Sequence, residues 1–180
     1  MGVVVNKLFK SDNPKIIDYA NSSLRSDFLD VFLGAECSFC ISTAYGFDGI
    51  PIIFRRPIVL LILPFGDFPV HSNRFLILTK HHFFKRENRR LTLSEIFSHG
   101  VAFAYETQAF KQKGIELVDN TPVEIKDVII EMAENLERKH KLNNEEEELQ
   151  KTFKNLYSHN MAKYGHQLPM RIDHHIHGCI

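Results

Sequence analysis

The stretch from Cys37 to Leu63, CSFCISTAYGFDGIPIIFRRPIVLLIL, constrains the fold of this chain more than any other. Its two apolar runs, CSFCI and IVLLIL, have the length and character of strands in a parallel sheet covered on both faces. Between them lie a turn of small residues and space for a short helix before Pro57. Strand, turn, helix and strand make a βαβ unit. Ser42, Thr43 and Gly46 fall just after the first run and offer two hydroxyls and a residue that admits close backbone approach. A helix N-terminus leaves N–H groups unpaired and carries partial positive charge, so it suits a phosphate or diphosphate. In open parallel sheets, ligands sit at the carboxyl ends of the strands, where Ser42 falls. The alternative is a connecting turn whose hydroxyls cap the next helix. Neither GxGxxG nor the P-loop pattern is present, so neither standard nucleotide fingerprint applies.

The totals narrow the function classes. A chain of 180 residues is long enough to bury a real core as one domain. Its 22 basic and 22 acidic residues balance, so net charge gives no argument for nucleic acid. Cys37, Cys40 and Cys179 make no disulfide framework. The first two sit in an apolar run, where cysteine behaves as a small hydrophobe; a redox or zinc reading of Cys37-x-x-Cys40 needs a flanking helix or a second ligand pair. Such usage points to a reducing, cytoplasmic setting. No apolar run reaches the roughly 18 residues of a membrane span, and no signal-peptide pattern opens the chain.

Along the chain, GVVVNK (2–7) and IIDYA (16–20) read as short strands, the second after the turn signal Asp12-Asn13-Pro14. Ser26 is a candidate N-cap; Phe28, Leu29, Phe32 and Leu33 share a helical face, and Gly34 reads as its stop. Residues 65–73 read as a loop, and RFLILT (74–79) as strand or helix. Thr92 and Glu95 form a capping box for a helix ended by Gly100. IELVDN (115–120) reads as the last strand. Thr121, Pro122 and Glu124 then start a helix whose stripe, Ile125, Ile129, Met132, Ala133 and Leu136, should pack across the sheet. The following helical stretch carries a charge run, Glu145 to Glu148, which reads as a solvated face. Alternating strands and helices predict an α/β, Rossmann-like, doubly wound fold with a mainly parallel sheet.

With LRSDFLDVFLGAECSFCISTAYGFDGIPIIFRRPIV (24–59) in view, the chain resembles the C-terminal lobe of glycosyltransferases of the two-Rossmann-lobe, or GT-B, type. These are associated with bacterial surface-polysaccharide gene clusters. KIIDYANS (15–22), ENRRLTLSEIFSHG (87–100) and GIELVDNTPVEIKDVIIEM (114–132) are similar in the same order. The resemblance implies one lobe over residues 1–142, followed by a C-terminal helix and His-rich tail over 143–180. It implies a lobe that binds a nucleotide-diphosphate sugar as donor substrate, without a separate cofactor, for surface polysaccharide or glycoconjugate synthesis. Donor binding would fall on Ser42, Thr43, Gly46, the backbone N–H groups around Phe47, and Asp48. Arg25 is the first candidate cation for the departing diphosphate and Arg55 the second; each has the alternative of a surface ion pair. Asp48 would accept from a sugar or ribose hydroxyl, or stabilise the start of its own helix.

The resemblance also implies that the acceptor lobe, with any catalytic base, is absent from this chain. Met1-Gly2 falls where the family has an internal Met-Gly, so the expectation is a fragment, inactive or weakly competent alone, with an exposed sheet edge. No catalytic residue is assigned. Two alternatives stand beside this reading: a non-catalytic interaction module completing a partner's N-terminal lobe, and a nucleotide-sugar epimerase relative.

Two further clusters carry weaker readings. Lys80, His81, His82, Lys85, Arg86, Arg89 and Arg90, with Phe83 and Phe84 interleaved, offer contacts to phosphates or a nucleic-acid backbone, or form a solvated loop; no nucleic-acid module surrounds them. His174, His175, His177 and Cys179 lie too close together for a rigid structural metal site and suit a surface chelate instead, so no metal is assigned.

Overall fold

A computed structural model describes residues 8–43, 46–62, 75–139 and 142–164. The expected strand over residues 2–7, the loop over 65–73 and the His-rich tail lie outside the described residues.

The βαβ unit forms. Strand β1 (Cys40–Ser42) leads through a turn into helix α2 (Gly49–Ile53) and then strand β2 (Ile58–Ile62), with helix α1 (Asp27–Glu36) before it. Strand β3 (Phe75–Thr79) settles the strand-or-helix question over RFLILT. The three strands pair in the order β1-β2-β3, all parallel, with Cys40 opposite Ile58 and Ile58 opposite Phe75. A mixed α/β architecture with a parallel sheet is therefore present.

A second sheet departs from the expected parallel pattern. Strands β4 (His81–Phe84), β5 (Arg89–Arg90) and β6 (Ile115–Val118) pair in the order β5-β4-β6, antiparallel throughout. β3 and β4 are separated by Lys80 alone, so one extended run serves both sheets. Between β5 and β6 lie α3 (Leu93–Ser98) and α4 (Thr107–Gln112); α5 (Pro122–Leu136) and α6 (Asn144–Tyr164) follow β6.

The helix starts obey local chemistry. The Ser26 hydroxyl accepts from the Leu29 N–H at the head of α1. Thr92 with Glu95, and Thr121 with Glu124, make reciprocal capping boxes at α3 and α5. Gly100 follows α3 with φ +71°, a left-handed stop that a side chain would strain.

Two expectations fail locally. IIDYA makes no strand: a 3-10 turn covers Tyr19–Asn21, and the Asp18 carboxylate takes the Phe9 N–H and the Asn21 side chain. Those bonds hold the segment in a local turn. Gly34 is not a stop either, because α1 runs on to Glu36. Gly34 is buried at the crossing with α2, where an added Cβ would lie 2.7 Å from Ile50 Cγ2. Its smallness sets a helix–helix distance rather than a terminus.

The core lies between the strands and the helices that follow them. Ile58, Leu60 and Phe75 join Phe97, Val101, Ala102, Phe110, Ile115 and Tyr157 in one buried cluster. Phe97 sits at its centre, edge-on to Phe103 and Tyr157 and stacked near Tyr164. Strand alternation sends Val59 to the other face, which α5 covers by lying against β2 and β3 with Met132 buried. Among the described residues, no helix is long and apolar enough to cross a membrane.

Candidate functional site

The candidate site is the turn from Ser42 to Gly49. Because β1 and β2 are parallel, this turn leaves the carboxyl edge of the sheet and α2 returns the chain to the opposite edge. Ser42, half-buried, ends β1 opposite Leu60; Thr43 and Gly46 are exposed. Gly46 takes φ +101°, and a Cβ placed there would meet nothing within 4 Å. The backbone here is thus open to a ligand, in a conformation that favours glycine.

Asp48 holds the turn. Its side chain is 8% exposed, and Oδ1 accepts the Gly46 N–H at 2.9 Å. The residue occupies the N-cap position of α2 but makes no cap bond, and its carboxylate is turned inward to fasten the loop. The signal was legible, since aspartate side chains in turns habitually bond to nearby backbone N–H groups. The Gly49 N–H donates to Gly46 O at 3.3 Å and the Ile50 N–H to Phe47 O at 3.1 Å, closing the start of α2. Among the described residues, these bonds leave the Phe47 N–H without an acceptor. A five-residue helix supplies little dipole, so individual donors matter more here than any macrodipole.

The two candidate cations have different surroundings. Arg25 lines a concavity of about 410 Å³, shared with Ala20, Asn21, Ser22, Ser26 and Asp27 at the head of α1. Its Nε lies 4.0 Å from Asp30 Oδ2, the ion-pair alternative. Arg55 leaves α2 with φ +55° just before β2, so it stands at the amino edge of the sheet. A residue there belongs to the end opposite Thr43. Arg56, which sequence reading passed over, ties α1 to this unit: its Nε donates to Ala35 O and its guanidinium lies 3.2 Å from Glu36. A cation beside the last turn of α1 opposes the helix dipole favourably.

Cys37 and Cys40 are free thiols. Burial raises both, Cys40 to about 11, so neither is a ready thiolate. The basic run is largely spent on ion pairs: Lys80 with Asp119, Lys85 with Glu116, and Arg89 with Glu87 and Glu95. Arg89 grips Glu95 through both terminal nitrogens, and with the Thr92 cap this holds the Glu95 carboxyl down to about 2. Among the described residues, no three His, Cys, Asp or Glu side chains gather as metal ligands.

Comparison with known protein families, curated proteins and solved structures found no match. The functional reading therefore rests on the residues themselves and on their placement.

Proposed function

We propose that this chain is the donor-binding lobe of a GT-B-type glycosyltransferase, taking a nucleotide-diphosphate sugar in surface polysaccharide or glycoconjugate synthesis. The observation that supports this reading is the turn at the carboxyl edge of the parallel sheet, with Thr43 and Gly46 open to solvent. In it, the Thr43 hydroxyl and the Phe47 N–H are the donors for a diphosphate oxygen, and Ser42 flanks them. Asp48 acts as a positioning residue by fixing Gly46. Its buried carboxylate also sets a condition: a diphosphate must stay clear of Oδ1 or bring a cation with it. Departure of the nucleotide diphosphate requires donors aimed at the developing charge, and transfer requires an acceptor held in register. Acting with a partner lobe satisfies both requirements.

Titration of the folded chain with nucleotide diphosphates and nucleotide sugars tests this reading. Binding is expected to weaken on Thr43→Ala and on Gly46→Val, which adds a side chain at positive φ. No binding at millimolar ligand by the folded protein overturns it.

A second reading, an interaction module that completes a partner lobe, draws on a separate observation. β1 pairs only with β2 among the described residues, and Phe28 of α1 and Ile53 of α2 are 74% and 76% exposed. Co-expression with an N-terminal-lobe candidate, followed by size-exclusion chromatography, is expected to yield a co-eluting pair; a lone monodisperse monomer argues against it.

A further inference from the structure

The crossover from β3 to β4 is clasped by one short segment. Asn120 Nδ2 donates to Thr79 O at 2.9 Å, and Lys80 Nζ lies 2.5 Å from Asp119. His81 Nε2 lies 2.9 Å from Glu124 Oε1, on the carboxylate that also closes the capping box of α5. The next side chain turns the other way. His82 is 3% exposed, with its ring centroid 5.7 Å from that of Phe110. Its Nδ1 lies 3.1 Å from Lys80 O. A carbonyl only accepts, so Nδ1 carries the hydrogen and Nε2 holds a lone pair. That Nε2 is buried with no hydrogen-bond partner among the described residues.

We propose that His82 is an acid-sensitive lock on the sheet crossover: its ring must stay neutral for β4 to remain seated between β5 and β6 against α4. A proton on Nε2 creates a buried cationic donor with nothing among the described residues to receive it, and the antiparallel sheet has to open to hydrate it.

Among the described residues, the charged groups around this site do not rescue the cation. On β4 itself, His81 lies on the opposite face, held by Glu124, and repels a charged His82. On the turn and β5, Lys85 and Arg89 are bound to Glu116, Glu87 and Glu95, while Arg86 and Arg90 are exposed and of the wrong sign. On β6, Glu116 is exposed on Lys85, and the residue opposite His82 is the apolar Leu117. From α4 the neighbour is Phe110, and Lys111 beside it is exposed.

Burial pushes the His82 imidazole below its ordinary value. The unfolded chain then binds the extra proton first, at about pH 6.5. Stability is complete above that point and declines as pH falls toward the lower folded value.

The deciding experiment is an imidazole nitrogen–proton correlation spectrum of the whole chain across pH. The expected result is a neutral, Nδ1-protonated His82 that persists below the ordinary imidazole range while the fold holds. An Nε2-protonated ring, or titration within the ordinary range in the folded state, overturns the proposal. Thermal melts give a second arm. His82→Leu is expected to remove at least half of the acid-induced fall in melting temperature, and an unchanged fall overturns it. Amide exchange on the intact chain should show β4–β6 opening ahead of β2–β3 as pH drops; simultaneous opening refutes the assigned location. Should His82→Leu fail to fold, the spectrum and the exchange order decide without it.

Discussion

Residues 8–54 and residues 75–164 contain apolar side chains in comparable variety, yet they use them differently. In the later region, Leu91, Ile96, Phe97, Val101, Phe110, Ile115, Met132 and Tyr157 are buried. In the earlier one, burial falls on small or special residues, Gly34, Ala35, Asp48 and Pro51. Several of its large apolar residues face outward: Phe28 and Phe32 stack on each other, 5.9 Å between centroids, on the exposed side of α1. Ile41 of β1 is 47% exposed, although its run reads as a fully covered strand. Periodicity identifies the face a helix would bury; it does not supply the surface to bury it against. The later region finds that surface in its own helices, whereas among the described residues α1 packs chiefly on α2 and β1 on β2.

The sharpest test of this contrast is Phe97→Ala. It empties the centre of the cluster and should cost about 3–5 kcal/mol in denaturant unfolding. A loss near the surface level would mean that the two regions are not distinct. Next comes Gly34→Val, which pushes a branched side chain into Ile50 and should cost about 1–3 kcal/mol by prising α1 from α2. If it is silent, α1 is held by something other than that crossing.

A milder effect belongs to the α3 cap. Thr92→Ala should cost about 1 kcal/mol. The same site predicts a pH response. Glu95 is held to about 2 against an ordinary 4.5, so its contribution is complete above the upper value and lost as pH falls between them. Exposure makes it salt-sensitive, so acid melts at low and high salt should diverge. The smallest change is expected for Phe28→Ser, within about 0.5 kcal/mol, because the ring has little folded-state burial to lose. A large loss there would show that the outward face of α1 is covered in solution.

Legibility tracked the range of the interactions involved. The caps at Ser26, Thr92 and Thr121 were readable because donor and acceptor lie three residues apart. The stripe of α5 was readable because its period is intrinsic to the helix. The turn after β1 was readable as open backbone, but the clasp of Asp48 on Gly46 was not foreseen, since the same residue also suits a cap or a ligand contact. The contact of His81 with Glu124 and the seat of His82 beside Phe110 were hidden, because each joins elements more than twenty residues apart. In the linear pattern these two histidines read as part of one basic run.

The sequence by itself determined where α1, α3 and α5 begin, several of the turns, and that a βαβ unit with an open Thr43–Gly46 corner would form, because these follow from hydrogen bonds and sterics within a few residues. Only the tertiary structure decided that the extended run breaks at Lys80 to serve two sheets, that Arg55 stands at the opposite sheet edge from that corner, and that the aromatic face of α1 points outward. Those outcomes depend on which distant surface arrives opposite a residue. A local pattern carries no record of that.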